Sequence, residues 1–125
     1  MNRCSHTILV VEDDPDIAES LTDVLESEGY LVVTAANGVE GLECLRDIGK
    51  PCLILLDLMM PVMSGGEFLA VLRRHEKFAS VPVVVVSAWP KEAVQVRSQS
   101  QGFVKKPVAL DSLLETADRF CTESS

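Results

Sequence analysis

The hydrophobic and polar positions of the chain follow two alternating patterns. Short continuous apolar runs are typical of strands buried on both faces, and between them apolar residues recur at the spacing of amphipathic helices. This alternation predicts a doubly wound α/β fold, in which a five-stranded parallel sheet has helices on both faces. The predicted strands cover residues 7–12, 30–36, 53–57, 81–87 and 102–106.

Capping residues mark where the predicted helices begin. Asp14 and Asp16 are expected to serve the N-terminus of the first helix. Ser64 could cap a third helix over 67–74, after the glycine pair 65–66 has interrupted the regular structure. The apolar face of the predicted C-terminal helix consists of Leu110, Leu113, Leu114, Ala117, Phe120 and Cys121.

The composition is that of one domain spanning residues 1–125. With 47% hydrophobic and 24% charged residues the chain can bury a proper core, and it contains no apolar run near the ~18 residues that a membrane span needs. The first residues do not form a signal peptide, so we expect a cytoplasmic protein without membrane insertion. The net charge of −8 makes nucleic acid an improbable direct partner.

The four cysteines are scattered along the chain without a CxxC spacing. Because no export signal is evident, a reducing compartment is expected, and the sequence predicts free thiols. The cysteines are Cys4, Cys44, Cys52 and Cys121.

Polar side chains stand at the carboxyl ends of the predicted strands, which share one edge of a parallel sheet. The residues that can converge there are Glu12, Asp13, Asp57, Ser87 and Lys106. Crowded carboxylates repel one another unless a cation neutralises them, and an all-oxygen set suits Mg2+ better than zinc. With such an ion, Lys106 and Ser87 could stabilise an incoming phosphoryl group while Asp57 acts as the nucleophile.

Four segments of the chain resemble the response regulator receiver domain of two-component signalling, and the resemblance covers almost the whole length. The segments are Val10-Val11-Glu12-Asp13-Asp14, the run from Leu56 to Gly66, Ser87-Ala88 and Lys106-Pro107. The resemblance implies a flavodoxin-like (βα)5 fold with strand order 2-1-3-4-5. It also implies a cis peptide bond between Lys106 and Pro107.

The resemblance also implies roles for residues at the strand ends. Asp57 matches the phosphoacceptor, which takes its phosphoryl group from a partner histidine kinase or histidine phosphotransfer domain. Glu12 and Asp13 match the acidic pair that holds Mg2+, with Asp57 and the main-chain carbonyl of Met59 as further ligands. Lys106 matches the lysine that pairs with the phosphoryl group. Such a domain is a switch for a downstream effector rather than a turnover enzyme.

Two further positions match the residues that move in the switch of this family. Ser87 corresponds to the switch hydroxyl and Phe103 to the switch aromatic. From the residues alone other roles stay open: Asp57 could be a capping acid, Ser87 a strand-end hydroxyl bonded to the backbone, and Phe103 a core aromatic.

The chain departs from the family pattern between Ser87 and Lys106, where it is shorter than usual. A helix over 91–101 has few apolar residues and is predicted to be short and weakly anchored. Neither Trp89 nor Met59 offers a side chain that could orient an attacking water, which predicts slow self-dephosphorylation.

Two alternative functions follow from the same residues. A receiver-like interaction module would bind partners without phosphorylation. An aspartyl-nucleophile phosphatase is less consistent with the sequence, because Met59 stands where that class usually carries a second acid. Flavin binding is disfavoured since the loop after Glu12 is acidic and lacks a phosphate-cradling run of Ser, Thr and Gly.

Overall fold

Five parallel strands form one sheet in the computed structural model, which describes residues 6–58, 60, 62–88 and 100–121. The strands are β1 (Thr7–Val11), β2 (Leu31–Ala35), β3 (Leu53–Asp57), β4 (Val83–Ser87) and β5 (Gly102–Lys105). The helices in the described residues are α1 (Pro15–Ser27), α2 (Gly38–Ile48), α3 (Gly65–Arg74) and the C-terminal helix α4 (Leu110–Cys121).

The order of the strands is β2-β1-β3-β4-β5, which confirms the predicted doubly wound sheet. In the register, Val11 lies opposite both Ala35 and Leu56. Farther across the sheet, Ser87 lies opposite Lys105. The ends of β1, β3, β4 and β5 therefore lie along one edge, where the sequence predicts the functional site.

The core has two layers, one on each face of the sheet. Every residue of β3 and of β4 is buried, as expected for central strands of a parallel sheet. On one face α2 and α3 contribute Leu45, Phe68, Leu69 and Leu72, and on the other α1 and α4 contribute Leu21, Leu25, Leu113, Ala117 and Cys121. No helix among the described residues is long and apolar enough to cross a membrane.

The helix caps agree with the prediction except at the glycine pair 65–66. The Asp14 side chain accepts hydrogen bonds from the backbone N–H groups of Asp16 and Ile17 at 2.9 and 3.4 Å. Ser64 forms a reciprocal capping box with Glu67, and α3 begins immediately after it at Gly65. The predicted break at the pair was wrong, because the capping box outweighs the low helix propensity of glycine.

The prediction that all cysteines are free thiols was wrong for Cys52 and Cys121, which form a disulfide. The fold brings the start of β3 beside the last residue of α4, with the Cα atoms 5.2 Å apart, a usual separation for disulfides. Sequence spacing could not show this proximity, since the two positions are 69 residues apart. Cys44 is a free thiol, and Cys4 lies outside the described residues.

The predicted helix over 91–101 lies almost entirely outside the described residues, and its last two positions, 100 and 101, are not helical. Gln101 instead starts the connection into β5. Its side-chain oxygen accepts hydrogen bonds from Arg73 Nη2 at 2.9 Å and from the backbone N–H of Val83 at 2.7 Å. Arg73 Nη1 donates to the carbonyls of Ala79 and Val81, both at 2.8 Å. The end of α3 is thereby fastened to the starts of β4 and β5.

Candidate functional site

Three carboxylates meet at the carboxyl edge of the sheet. Glu12 and Asp13 directly follow β1, and Asp57 is the last residue of β3. One oxygen from each carboxylate lies within 4.8 Å of the others. Glu12 and Asp57 are each 4% exposed, whereas Asp13 is exposed, so two of the carboxylates lie in the core and one faces solvent. This donor set fits a hard divalent cation such as Mg2+, which takes carboxylate oxygens and keeps several waters.

Lys106 supplies the positive charge of the site. Its Nζ lies 3.0 Å from Glu12 Oε1 and 3.6 Å from Asp57 Oδ2. The backbone N–H of Lys106 donates to the carbonyl of Ser87 at 3.0 Å, which continues the pairing of β5 with β4 and holds the lysine at the sheet edge. The Lys106–Pro107 peptide bond is cis, as the resemblance implies.

The electrostatics of the site favour an added cation. Burial and, to a smaller extent, the charge of Asp57 raise the pKa of Glu12 from its usual 4.5 to about 7, although the hydrogen bond from Lys106 opposes both. Burial lowers the pKa of Lys106, but its bond with Glu12 and its attraction to Asp57 outweigh burial and leave that pKa raised. One lysine thus compensates only part of the negative charge that three neighbouring carboxylates carry.

A cavity of about 250 Å3 opens above these groups. Its walls include Asp13, Asp57, Ala88 and Lys106. Since a water molecule takes about 30 Å3 of liquid, this space can hold a hydrated ion together with a small tetrahedral group. The arrangement therefore places a buried carboxylate, two further carboxylates that could hold a cation, and an ammonium group beside one open cavity.

Ser87 and Phe103, the proposed switch residues, lie on neighbouring strands. Ser87 is buried at the end of β4, directly before Ala88 of the cavity wall. Phe103 in β5 is 40% exposed, so it is not the core aromatic that was the alternative interpretation. Met59 and Trp89 lie outside the described residues, and the roles predicted for them stay predictions.

Gly65 is a positioning residue that sequence reasoning interpreted only as a helix breaker. A Cβ atom there would lie 2.5 Å from the carbonyl oxygen of Asp57 and 2.6 Å from Leu58 Cα. The Gly65 N–H donates to the Leu58 carbonyl at 3.2 Å, so the first turn of α3 rests directly on the chain that leaves β3. The sequence feature that could have indicated this role is the position of Gly65 directly after Ser64, the capping residue of α3.

A hydrogen bond connects Glu12 to the backbone of Asp14 in the loop after β1. The second Glu12 oxygen, Oε2, accepts a hydrogen bond from the backbone N–H of Asp14 at 3.2 Å. The Asp14 carboxylate itself caps α1, as predicted, and it is thus turned toward the helix. In the loop after β1, Glu12 and Asp13 therefore face the site, whereas Asp14 caps α1.

The family model for the response regulator receiver domain matches residues 8–118. The chain belongs to this family. Among curated relatives, hybrid signal transduction histidine kinase D of Dictyostelium discoideum is 39% identical over 110 residues, 86% of this chain. Protein PilH of Pseudomonas aeruginosa is 33% identical over 112 residues, which cover 87% of this chain and 92% of PilH.

Solved structures of receiver proteins have the same fold. The chemotaxis protein CheY4 of Vibrio cholerae superposes with a TM-score of 0.85 at 28% identity, covering 94% of this chain and 99% of CheY4. The response regulator TrrA of Thermotoga maritima, in complex with Mg2+-BeF, gives a TM-score of 0.81 at 31% identity and covers 91% and 97% of the two chains.

The relatives differ greatly in length. This chain spans only 7% of the Dictyostelium kinase and 11% of the sensor histidine kinase TmoS of Ectopseudomonas mendocina, but nearly all of PilH. The same receiver unit thus occurs both within long kinases and in proteins of about its own size.

Proposed function

We propose that this receiver accepts a phosphoryl group on Asp57 from the phosphohistidine of a histidine kinase or phosphotransfer domain, with Mg2+ held by Glu12, Asp13 and Asp57. The observation that carries the proposal is the placement of the Asp57 carboxylate. It lies within 4.8 Å of two other carboxylates and 3.6 Å from the Lys106 ammonium, beside an open cavity. TrrA, a relative of the same fold, binds Mg2+-BeF, which also supports this proposal.

Each residue would contribute a separate part of the chemistry. The bound Mg2+ would offset negative charge on the incoming phosphoryl oxygens. One Asp57 oxygen attacks phosphorus in line with the departing imidazole nitrogen of the donor. Lys106 donates to a phosphoryl oxygen, since its ammonium already lies within reach of Asp57. We further propose the main-chain carbonyl of Met59 as an additional Mg2+ ligand.

The proposed switch involves Ser87 and Phe103. The Ser87 hydroxyl would hydrogen-bond to the phosphoryl group, and the change at the end of β4 would alter how Phe103 sits on neighbouring β5. Because Phe103 is 40% exposed, its movement changes the surface that a downstream effector meets. We propose that this happens in the cytoplasm, within one domain formed by residues 1–125.

The decisive experiment is intact mass spectrometry after incubation with acetyl phosphate and Mg2+. The wild-type chain should gain the mass of one phosphoryl group, and Asp57→Asn should gain none. Asp16→Asn is the matched control, because Asp16 is an exposed acid in the first turn of α1. Chelation of Mg2+ should abolish labelling of the wild type. Equal labelling of wild type and Asp57→Asn would refute the assignment.

The rival function is an interaction module that works without phosphorylation. Fluoroberyllate with Mg2+ imitates the phosphorylated form and distinguishes the two functions. A phosphorylation-dependent receiver should show shifts of amide resonances around Ser87 and Phe103 that Asp57→Asn lacks. A chain with no response that depends on Asp57 would instead be a scaffold.

We also propose slow self-dephosphorylation, because Met59 and Trp89 provide no group to orient a water. The phosphorylated form should persist for minutes or longer when acetyl phosphate is removed and Mg2+ is kept. Loss of the phosphoryl mass within seconds would show this proposal to be wrong.

A further inference from the structure

The disulfide between Cys52 and Cys121 lies at the edge of the sheet opposite the acidic site. Cys52 immediately precedes β3, and its backbone N–H donates to the Thr7 carbonyl at 2.9 Å, beside the start of β1. Asp57 stands at the other end of the same strand. Cys121 is the last residue of α4 and is buried against the core on that face. The bond therefore joins the start of the proposed phosphoacceptor strand to the end of the C-terminal helix.

We propose that Cys52 and Cys121 form a reversible thiol–disulfide exchange site for small-molecule thiols of the glutathione type, and that its redox state determines how firmly α4 is fixed to the sheet. The site is separate from the phosphorylation chemistry and does not depend on it. In the reducing compartment proposed above the dithiol form would prevail until a small-molecule disulfide accumulates, because disulfides there are usually transient.

The exposure of the two sulfur-bearing residues indicates where exchange begins. Cys121 is 4% exposed, whereas Cys52 is half-buried, so Cys52 is the more accessible of the two residues to an external thiolate. Attack there breaks the S–S bond, joins the small thiol to Cys52 and releases the Cys121 thiolate, which takes a proton from solvent. A second small thiol attacks the sulfur of the first and releases Cys52 as a thiol together with a small-molecule disulfide. Two electrons pass to the protein, and a small-molecule disulfide reverses the reaction.

The position of the bond explains why its redox state should matter. It closes a covalent loop between positions 69 residues apart, and this loop contains Asp57, Ser87 and Lys106. Cross-links that close long loops restrict the unfolded chain strongly. After reduction the end of α4 is held by the packing of Ala117 and Cys121 and by the hydrogen bond from Tyr30 Oη to Asp118 Oδ1 at 2.8 Å.

Cys44 is an internal control for thiol reactivity. It is a free, half-buried thiol in α2, and its Sγ lies 4.0 Å from the Thr34 carbonyl oxygen. Burial raises the pKa of Cys44, and the nearby charges of Glu40, Asp47 and Glu43 raise it further. A raised pKa leaves little thiolate at neutral pH, so Cys44 should exchange slowly.

The test uses the full chain with Cys4→Ser, equilibrated in buffers with a range of ratios of reduced to oxidised glutathione and then alkylated under denaturing conditions. The intact mass then gives the number of alkylated cysteines, which are those that were free thiols. As the share of oxidised glutathione rises, Cys52 and Cys121 should stop being alkylated together, in one two-electron transition. Cys44→Ser should leave this transition unchanged. Cys52→Ser and Cys121→Ser should each abolish it. The oxidised chain should melt roughly 10 °C above the reduced chain.

Three results would overturn the proposal. They are stable glutathione adducts on Cys52 or Cys121 in place of their mutual bond, a transition that disappears in Cys44→Ser, and equal melting temperatures of the oxidised and reduced forms. The melting comparison uses chemically reduced protein with both cysteines present, so it stands even if a serine variant fails to fold. Asp57→Asn should show the same transition, which separates this test from that of phosphorylation.

Discussion

A single hydrogen atom at Gly65 separates the first turn of α3 from the backbone that leaves β3. Any Cβ there would overlap the Asp57 carbonyl oxygen and Leu58 Cα, and both are backbone atoms that cannot rotate away. The proposed phosphoacceptor is therefore positioned by its own strand and also by a helix that follows it closely. The geometry of the site depends on this approach.

Gly65→Ala should destabilise the protein by about 1–3 kcal/mol, the usual range for overpacking, and should slow phosphorylation by acetyl phosphate. The reason is that α3 must move away from the end of β3, and the carboxylate of Asp57 moves with its backbone. Urea unfolding and the rate of mass gain measure the two effects. Gly102→Ala is the control, because its Cβ would meet Val84 Cγ2 at an ordinary 3.5 Å. Equal behaviour of the two variants would contradict the argument.

Individual site residues could be predicted to different extents. Glu12, Asp13, Asp57 and Lys106 were predictable, because strand ends of a parallel sheet share one edge and the structure brings these side chains together. The disulfide was not, since it depends on the meeting of a strand start and a helix end. Composition and export signals carry no information on that contact.

At the level of elements, the order and type of the described strands and helices followed from periodicity, and so did the bounds of β3, but several other ends did not. The predicted second strand began at residue 30, yet β2 starts at Leu31. The backbone N–H of Tyr30 instead donates to the carbonyl of Leu25, in the last turn of α1. The predicted fourth strand began at 81, yet β4 starts at Val83. There the Val81 carbonyl accepts from Arg73, an interaction that no local pattern contains.

The Arg73 clamp between α3, β4 and β5 can be tested directly. Arg73→Ala should lower the free energy of unfolding by about 2–3 kcal/mol, because it removes charge-assisted bonds to two carbonyls and to Gln101. Arg74→Ala, an exposed neighbour in the same turn, should change it by less than about 0.5 kcal/mol. Urea unfolding measures both, and amide exchange should show a larger loss of protection in β5 for Arg73→Ala. Similar values for the two variants would argue against the clamp.

For the whole molecule, the buried Glu12 makes stability depend on pH. Its pKa is about 7 when folded and about 4.5 when exposed, so between these values the folded state keeps a proton that the unfolded state has released. The stabilisation of the folded state that comes from this retained proton is complete below about pH 4.5 and is lost as the pH rises through about 7.

Without Mg2+, the free energy of unfolding should therefore fall by roughly 2–3 kcal/mol between mildly acidic and mildly alkaline buffer. Saturating Mg2+ should remove most of this fall, because the cation stabilises the ionised carboxylate. Glu12→Gln should show neither effect, since it cannot ionise. Urea unfolding at several pH values, with chelator or with Mg2+, measures all three. An unchanged pH slope in Glu12→Gln would contradict the assignment.

The contact between Tyr30 and Asp118 gives the molecule an optical probe of its own. Burial and the bond to Asp118 raise the pKa of Tyr30 to about 12, from 10.0 for an unperturbed tyrosine. Because Tyr30 is the only tyrosine in the chain, near-ultraviolet absorbance during an alkaline titration reads this one ring without an added dye. Ionisation of Tyr30 nearer pH 10 would show that α4 has moved away from Tyr30, so the packing of α4 against the rest of the domain can be followed by absorbance.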